Sequence, residues 1–174
     1  MLEILPEGGK KMQTAEIKEN AEKIIKKQYV TFQLGNEEYG INIQKTRGII
    51  KDFSVTNVPN TKKFIMGVIN LRGQIVPVVN LHERFNFECS SKNKNQRIIT
   101  VEIEKSLIGL LVDKVNEVIR INKNKIEPAP EVSEGIAREY LDGLAKTNEE
   151  LIMLINLNKL LFSEKETRIP GRNK

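Results

Sequence analysis

The second half of this 174-residue chain repeats the first half. Residues 29–50 can be placed over residues 98–119 without a gap, and residues 64–81 over residues 140–157, at offsets of 69 and 76 residues. Apolar positions coincide throughout both blocks. Two pairs of glycines also coincide, Gly40 with Gly109 and Gly67 with Gly143. Identities are few, so an alternating β pattern alone would produce part of this match, but two ungapped blocks in the same order favour an internal duplication.

The repeated blocks have the period of β-strands. Each half contains about five short runs rich in β-branched and aromatic residues, and Gly, Asn or Pro separates the runs. Half of the chain is too short to bury a robust core alone, and closing a sheet into a barrel removes its exposed edges. The sequence therefore predicts a mainly β protein with two intertwined β-subdomains, about 29–85 and 98–157, that are small five-stranded barrels packed together. A polar linker of Asn, Ser and Lys joins them at 86–97.

Both ends of the chain lie outside this repeat. Residues 1–28 form an N-terminal extension, in which apolar residues recur at helical spacing over 14–27 and predict either a helix or an irregular tail. The sequence L-N-K-L-L-F at 157–162 has the spacing of a short C-terminal helix that would close one end of a barrel. Residues 163–174 are basic overall and are expected to be disordered.

Composition argues against several classes of function. The net charge of +5 is scattered, with about +1 in residues 1–28, +2 in 86–97 and +2 in 163–174, so no concentrated basic footprint is present. Aromatic residues make up 5% of the chain and tryptophan is absent, which leaves little to stack on bases. No apolar run reaches the roughly 18 residues of a membrane-spanning helix, and the single cysteine, Cys89, excludes an internal disulfide. These features predict a cytoplasmic protein that neither inserts into a membrane nor binds nucleic acid. A small basic β-barrel that binds single-stranded nucleic acid stays open as the alternative.

Residues suited to catalysis or metal binding are scarce. His82 is the single histidine, and a surface or barrel-end side chain is expected there because no nucleophile is placed in sequence to pair with it. Neither C-x-x-C, H-x-x-x-H nor a phosphate-binding G-x-x-x-x-G-K-[ST] loop occurs. Glu37 and Glu38 fall at a predicted turn and Asp113 lies near a strand, and solvated positions are expected for all three. The sequence predicts neither an enzyme nor a cofactor.

The strongest strand–turn–strand signal lies in residues 64–81, F-I-M-G-V-I-N-L-R-G-Q-I-V-P-V-V-N-L. The predicted hairpin corner runs from Leu71 through Arg72 and Gly73, because glycine accepts a positive φ at little steric cost. The matching crest in the second half reads K-T-N-E, so the strands repeat while Leu71 and Arg72 do not. One interpretation is that the two turns merely differ in type. We favour the other, that Arg72 presents its planar fork of donors to a partner protein.

Several of these motifs together resemble the CheW family of chemotaxis coupling proteins. They are E-Y-G-I-N-I at 38–43, V-P-N at 58–60, G-V-I-N-L-R-G-Q-I-V-P-V at 67–78, E-Y-L-D-G-L at 139–144 and L-I-M-L-I-N-L at 151–157. The resemblance extends over residues 29–162, and the long string at 67–78 is its most specific part. It implies two SH3-like five-stranded β-barrel subdomains and a non-catalytic adaptor. The implied partners are the regulatory domain of the histidine kinase CheA and the cytoplasmic tip of chemoreceptors.

The same resemblance implies a cellular setting. A CheW-like protein is expected to be cytoplasmic, monomeric when free, and recruited to receptor clusters at the inner face of the membrane. Related domains also occur at the end of CheA and at the start of CheV. A stand-alone coupling protein is expected here, since the chain has neither a preceding kinase region nor room for a following receiver domain.

Family positions carry over to this chain residue by residue. The implied kinase-binding residues are Arg72, Gly73, Leu71, Thr46 and Ile49. The implied receptor-binding residues, near a groove between the subdomains, are Ile43, Gly109, Val112 and Val118; Ile43 and Val112 fit a plain barrel core better. The family commonly has a glutamate where this chain has Gly48, so a contact that depends on that glutamate is in doubt. The matching position in the second half is Glu117.

Overall fold

A computed structural model describes residues 26–87, 93–130, 138–148 and 150–162, and these residues are mainly β. The strands are β1 (Lys26–Leu34), β2 (Glu37–Asn42), β3 (Thr46–Ile50), β4 (Ile65–Leu71), β5 (Gln74–Asn80), β6 (Arg97–Ile103), β7 (Ser106–Val112), β8 (Lys114–Asn122), β9 (Ile126–Glu127), β10 (Leu141–Lys146) and β11 (Leu151–Ile155). The helices are α1 (Leu81–Phe85) and α2 (Leu157–Phe162), and 3-10 turns occupy Ile43–Lys45, Lys123–Lys125 and Arg138–Tyr140. No helix in the described ranges is long and apolar enough to span a bilayer.

The strands form two sheets that exchange hairpins. The first sheet has the order β8-β1-β2-β11-β10-β9, and the second has the order β3-β6-β7-β5-β4. Hairpin β1–β2, from the first half of the chain, therefore lies among strands of the second half. Hairpin β6–β7, from the second half of the chain, lies in turn among strands of the first half. Parallel pairing of β2 with β11, and of β7 with β5, joins each exchanged hairpin to its new sheet.

This exchange shows how the two predicted subdomains are intertwined. Residues 29–85 and 98–157 each contribute strands to both sheets. The sequence did not predict which strands are exchanged, because period-two patterning shows which face of a strand is buried but does not identify the neighbouring strand.

The sequence repeat is reproduced in three dimensions. Strands β1 to β5 correspond in order to β6, β7, β8, β10 and β11, and α1 corresponds to α2. Even an isolated bridge repeats: Thr56 pairs with Val68 across β4, as Glu127 of β9 pairs with Leu144 of β10. Each sheet therefore contains one complete five-stranded unit, and β9 adds a short sixth strand to the first sheet.

The repeated glycines mark places where two backbones approach closely. A Cβ atom at Gly67 would overlap the carbonyl oxygen of Thr56, and one at Gly143 would lie 2.6 Å from the carbonyl oxygen of Glu127. Both glycines also sit at a shift of strand register, in β4 and in β10. Because the same bridge is made in both halves, both halves need a residue without a side chain at this position.

The buried apolar residues form three clusters. The largest lies between the two sheets and includes Phe32 and Tyr39 of the first sheet and Leu110 of the second. The second cluster, which includes Tyr29, lies on the other face of the first sheet and forms its barrel core. The third, which includes Val78, forms the barrel core of the second sheet. The exchanged hairpins thus bury one face in the shared core and the other in a barrel core.

Several predicted segments can be compared with the structure. The helix at 157–162 is confirmed as α2, with Leu157 and Leu160 buried. The N-terminal extension ends earlier than expected, because β1 already begins at Lys26. The rest of the predicted 14–27 helix and the tail 163–174 lie outside the described residues, as does Cys89 in the linker.

Candidate partner-binding surfaces

The β4–β5 hairpin ends in a two-residue turn. Arg72 and Gly73 have φ angles of 54° and 85°, which match a type I′ hairpin turn. The side chain of Asn70 supports the turn, because its Oδ1 accepts a hydrogen bond of 2.8 Å from the backbone N–H of Gly73. Leu71 is half-buried and packs against the barrel core of the second sheet, while Arg72 is exposed. The predicted corner is therefore confirmed as a turn.

Arg72 is held in a conformation that does not favour arginine. Left-handed backbone costs a residue other than glycine roughly 1–2 kcal/mol, and asparagine is the side chain that tolerates it best. Within the described residues, the Arg72 guanidinium makes neither a hydrogen bond nor an ion pair. The arginine thus adds no polar contact to the described part of the fold, although it occupies a strained position at an exposed tip.

The corresponding turn in the second half is built differently. Strand β10 ends at Lys146 and β11 begins at Leu151, so four residues rather than two connect them. The N–H of Thr147 donates to the carbonyl of Glu150 at 2.9 Å and closes this longer loop. The turns therefore do differ in type, as the first interpretation held. That difference accounts for Gly73, but it leaves the choice of arginine at position 72 without a structural role.

Replacing Arg72 with asparagine is expected to stabilise the protein by about 0.5–1 kcal/mol, because asparagine relieves the strain at the left-handed position. Urea unfolding of the purified variant and the wild type measures this difference. Lys105 is a matched control, since it has φ of 68° in the β6–β7 turn, and Lys105→Asn should give a gain of the same sign. A marked loss of stability in Arg72→Asn would mean that the arginine supports the fold.

The remaining kinase-binding candidates lie at the opposite edge of the second sheet. Strand β3, which contains Thr46 and Ile49, is an edge strand paired to β6. Ile49 is 48% exposed, whereas the hydroxyl of Thr46 is turned back on the carbonyl of Asn42 at 3.3 Å. Strands β3 and β4 are the two edges of this sheet, so β3 and the Arg72 tip are not neighbours along it.

Val118 occupies the place in the first sheet that Ile49 occupies in the second. It lies on β8, also an edge strand, and is 49% exposed. The threonine beside each edge makes the same hydrogen bond: Thr100 Oγ1 donates to the carbonyl of Gly48 at 3.1 Å, and Thr31 Oγ1 to that of Glu117 at 3.0 Å. Gly48 and Glu117 are therefore equivalent in structure as well as in sequence.

Two of the receptor-binding candidates are inaccessible. Val112 is fully buried in the shared core, and Gly109 lies in β7 between β6 and β5. A Cβ atom at Gly109 would lie 2.8 Å from Cγ2 of Ile98, so glycine is there to let the sheet pack. Ile43 is partly buried against the shared core. Of the four candidates, Val118 is the one that offers an exposed side chain, and the other three are better explained by packing.

The structure excludes the surface position that the sequence allowed for His82 and the solvated position that it favoured for Asp113. His82 is 4% exposed rather than on the surface, and its Nε2 lies 2.8 Å from Oδ1 of Asp113. Asp113 Oδ2 also accepts a hydrogen bond of 2.7 Å from the N–H of Gly35. The pair joins α1, the β7–β8 corner and the β1–β2 turn, so it links elements of both sheets. The two residues are 31 positions apart, so no local sequence pattern predicted this contact.

Glu38 is not simply a solvated turn residue. Asn116 Nδ2, on β8, donates to Glu38 Oε2 at 3.0 Å. Burial by itself would raise the pKa of Glu38, but hydrogen bonds with Glu150, Asn116 and Thr31 outweigh it and hold that pKa below its usual value. The carboxylate therefore helps to bind the ends of neighbouring strands in the first sheet. Within the described ranges no group of three or more His, Cys, Asp or Glu side chains is arranged to hold a metal ion.

Known proteins resemble this chain in sequence and in fold. Residues 28–165 match the family model of the CheW-like domain. A chemotaxis protein CheW from Klebsiella aerogenes is 38% identical over 86% of this chain and 90% of its own length. One from Treponema pallidum is 33% identical over 80% of this chain and 84% of its own length. The crystal structure of the scaffolding protein TtCheW from Thermoanaerobacter tengcongensis superposes with a TM-score of 0.75 at 43% identity, and covers 82% of this chain and 97% of that one. The chain therefore belongs to the CheW family of chemotaxis proteins.

Proposed function

We propose that this protein is a non-catalytic adaptor that couples the cytoplasmic tips of chemoreceptors to the histidine kinase CheA. The observation that carries the proposal is the Arg72 tip: an exposed arginine in strained backbone that has no intramolecular partner among the described residues. Strained backbone at an exposed residue is typical of a functional site. Membership of the CheW family supplies the kind of process in which that site acts.

The kinase surface is proposed to be the β4–β5 tip. Leu71 anchors the turn in the barrel core, Gly73 allows the turn, and Arg72 presents donors to a carboxylate of the regulatory domain of CheA. Ile75, 61% exposed beside the turn, adds apolar area. Ile49 on β3 is a separate kinase contact in this proposal, and Thr46 positions the backbone of β3.

The receptor surface is proposed to be the β8 edge around Val118, and Ile43, which is partly buried against the shared core, is proposed as a supporting residue. Because the kinase tip is on the second sheet and Val118 is on the first, one adaptor can hold both partners at once. The gain is an increase in the effective concentration of kinase at the receptor rather than a change in any bond. The protein is proposed to be cytoplasmic, monomeric when free, and recruited to receptor clusters. It is proposed to use no cofactor and to bind neither nucleic acid nor the membrane itself.

Replacing Arg72 with alanine is expected to weaken binding to the CheA regulatory domain by about tenfold or more, because truncating an arginine anchor typically costs above 1 kcal/mol. Isothermal titration of the kinase domain with wild type and variant measures this change. Lys105→Ala is the matched control, since it removes an exposed cation from another left-handed hairpin position of the same sheet. We expect the control to bind within twofold of wild type.

The coupling itself is tested with vesicles that carry chemoreceptors. Wild-type protein should retain CheA on the vesicles in sedimentation, and Arg72→Ala should sediment with the vesicles while retaining much less kinase. Equal kinase affinity of the Arg72→Ala variant and the wild type would remove Arg72 from the proposed surface. Failure of the wild type to bind either partner would overturn the adaptor function.

A further inference from the structure

Arg84 is a buried cation at the junction of the two sheets. Its side chain, on α1, is 2% exposed. The guanidinium carbon lies 4.6 Å from the ring centre of Phe64 and 4.9 Å from that of Tyr140. Its Nε donates a hydrogen bond of 2.8 Å to the carbonyl of Leu160 in α2. One side chain therefore contacts the residue before β4, the residue before β10 and the C-terminal helix.

These contacts follow the internal repeat. Phe64 and Tyr140 are equivalent residues at the offset of 76, and Arg84 is itself equivalent to Leu160. The Arg84 guanidinium is thus nearly equidistant from two equivalent rings, and it donates a hydrogen bond to Leu160, the residue equivalent to Arg84 itself. A group placed in this way lies close to the pseudo-twofold axis that relates the two halves. Arginine at both equivalent positions would bring two cations together at this axis, whereas one arginine and one leucine avoid that repulsion.

The two aromatic residues are fixed to their sheets in the same way. The carbonyl of Phe64 accepts a hydrogen bond of 2.8 Å from the N–H of Asn80, at the end of β5. The carbonyl of Tyr140 accepts the equivalent bond, also of 2.8 Å, from the N–H of Asn156, the residue that follows β11. Each ring is therefore attached to the rigid part of one sheet, and Arg84 contacts both rings.

We propose that Arg84 is a positioning residue that fixes the orientation of the two sheets relative to each other. The apolar core between the sheets supplies adhesion, but apolar contacts are not directional. A planar cation that lies over two rings and donates a hydrogen bond to a fixed carbonyl is directional. Phe64 also lies immediately before β4, the strand that leads to the Arg72 tip. Arg84 therefore determines where the kinase surface lies relative to the β8 edge, and this consequence rests on the function proposed above.

The experiment measures the distance between the sheets without any partner. Spin labels are attached to the full chain at Asn36→Cys and Ser106→Cys, in a Cys89→Ala background. Both positions are exposed, one at the β1–β2 turn of the first sheet and the other at the start of β7 in the second. Pulsed electron paramagnetic resonance measures the distance between the two labels. We expect a narrow distance distribution for the labelled protein that keeps Arg84, and a distribution at least about twice as wide for the Arg84→Met variant. Arg84→Lys, which keeps the charge but loses the planar guanidinium, should restore only part of the narrow width.

Arg97→Met is the matched control. Arg97 is half-buried and donates to the backbone carbonyls of Lys94 and Gln96, so its loss removes an arginine–carbonyl contact that does not cross between the sheets. The control should keep the wild-type distribution. If Arg84→Met fails to fold, Phe64→Leu takes its place, because it removes one of the two rings and leaves the cation. A folded Arg84→Met or Phe64→Leu protein with the wild-type width overturns the proposal.

A second measurement connects the geometry to coupling. In Arg84→Met, the affinity for each partner alone is expected to stay within twofold of wild type, while retention of CheA on receptor vesicles falls about fivefold or more. Loss of binding to each partner separately would indicate general damage and would contradict a positioning role. The distance measurement is independent of both partners, so it decides the role of Arg84 even if the adaptor function fails.

Discussion

Replacing Gly67 with alanine is expected to destabilise the protein by about 3 kcal/mol or more, because the new methyl group would overlap the backbone of the neighbouring segment. The added Cβ would collide with the carbonyl oxygen of Thr56 and lie 2.8 Å from Cγ1 of Val55. To make room, the chain must give up the Thr56–Val68 bridge, whose two hydrogen bonds measure 2.8 and 2.9 Å. Urea unfolding of the full chain measures the loss.

Gly48→Ala is the control for this prediction. The nearest atom to a Cβ at Gly48 is Oγ1 of Thr100 at 3.4 Å, which is an ordinary contact, and we expect a change within about 0.5 kcal/mol. Gly143→Ala should behave like Gly67→Ala, since its Cβ would lie 2.6 Å from the carbonyl of Glu127. If Gly67→Ala and Gly48→Ala unfold at the same urea concentration, the close approach does not matter to stability.

Replacing Asp113 with alanine is expected to cost about 2–4 kcal/mol, because it leaves the buried Nε2 of His82 without its hydrogen-bond partner. The His82 and Asp113 side chains are 5% and 14% exposed, so water does not readily replace the lost bond. Nδ1 of His82 already has no hydrogen-bond partner within the described residues, and the substitution would leave Nε2 unpaired as well. The N–H of Gly35 also loses its carboxylate acceptor.

A double-mutant cycle isolates the energy of this pair. His82→Leu, Asp113→Leu and the double variant are unfolded in urea, and the double variant should be less destabilised than the sum of the single changes by about 1–3 kcal/mol. The reason is that removing both partners leaves neither one buried and unpaired. Strict additivity of the two single effects would show that the contact between the side chains contributes nothing to stability.

Local patterns were sufficient to predict much of the fold. The strands, the turn at Gly73 and the short helix at 157–162 depend on residues close together in sequence, and the structure confirms them. The repeated pair Gly67 and Gly143 was also visible, because duplication carried the same steric need into both halves. The Arg72 tip emerged from comparing the two halves, since the strands repeat there while the crest does not.

The burial of the candidate site residues depended on which strands are neighbours in a sheet. Hairpin exchange places β7 in the middle of the second sheet, and that placement is why Gly109 and Val112 are buried rather than exposed. It also makes β3 and β8 the edges that expose Ile49 and Val118. The contact between His82 and Asp113 likewise exists because the exchange brings α1 to the β7–β8 corner. No periodicity in the sequence reports such pairings.

The exchanged hairpins also set the order in which the protein can fold as it is synthesised. The second sheet needs no strand beyond β7, so its five strands are all available once Val112 has left the ribosome. Hairpin β1–β2 is made first, yet its sheet lacks strands until β11 has been added near the end of the chain. The face of this hairpin that carries Tyr29 therefore remains without its final neighbours, such as Ile152 and Leu154 of β11, for most of synthesis. The earliest strands to be made are among the last to reach their final pairing, and they are the part of the chain for which protection by a chaperone would matter most.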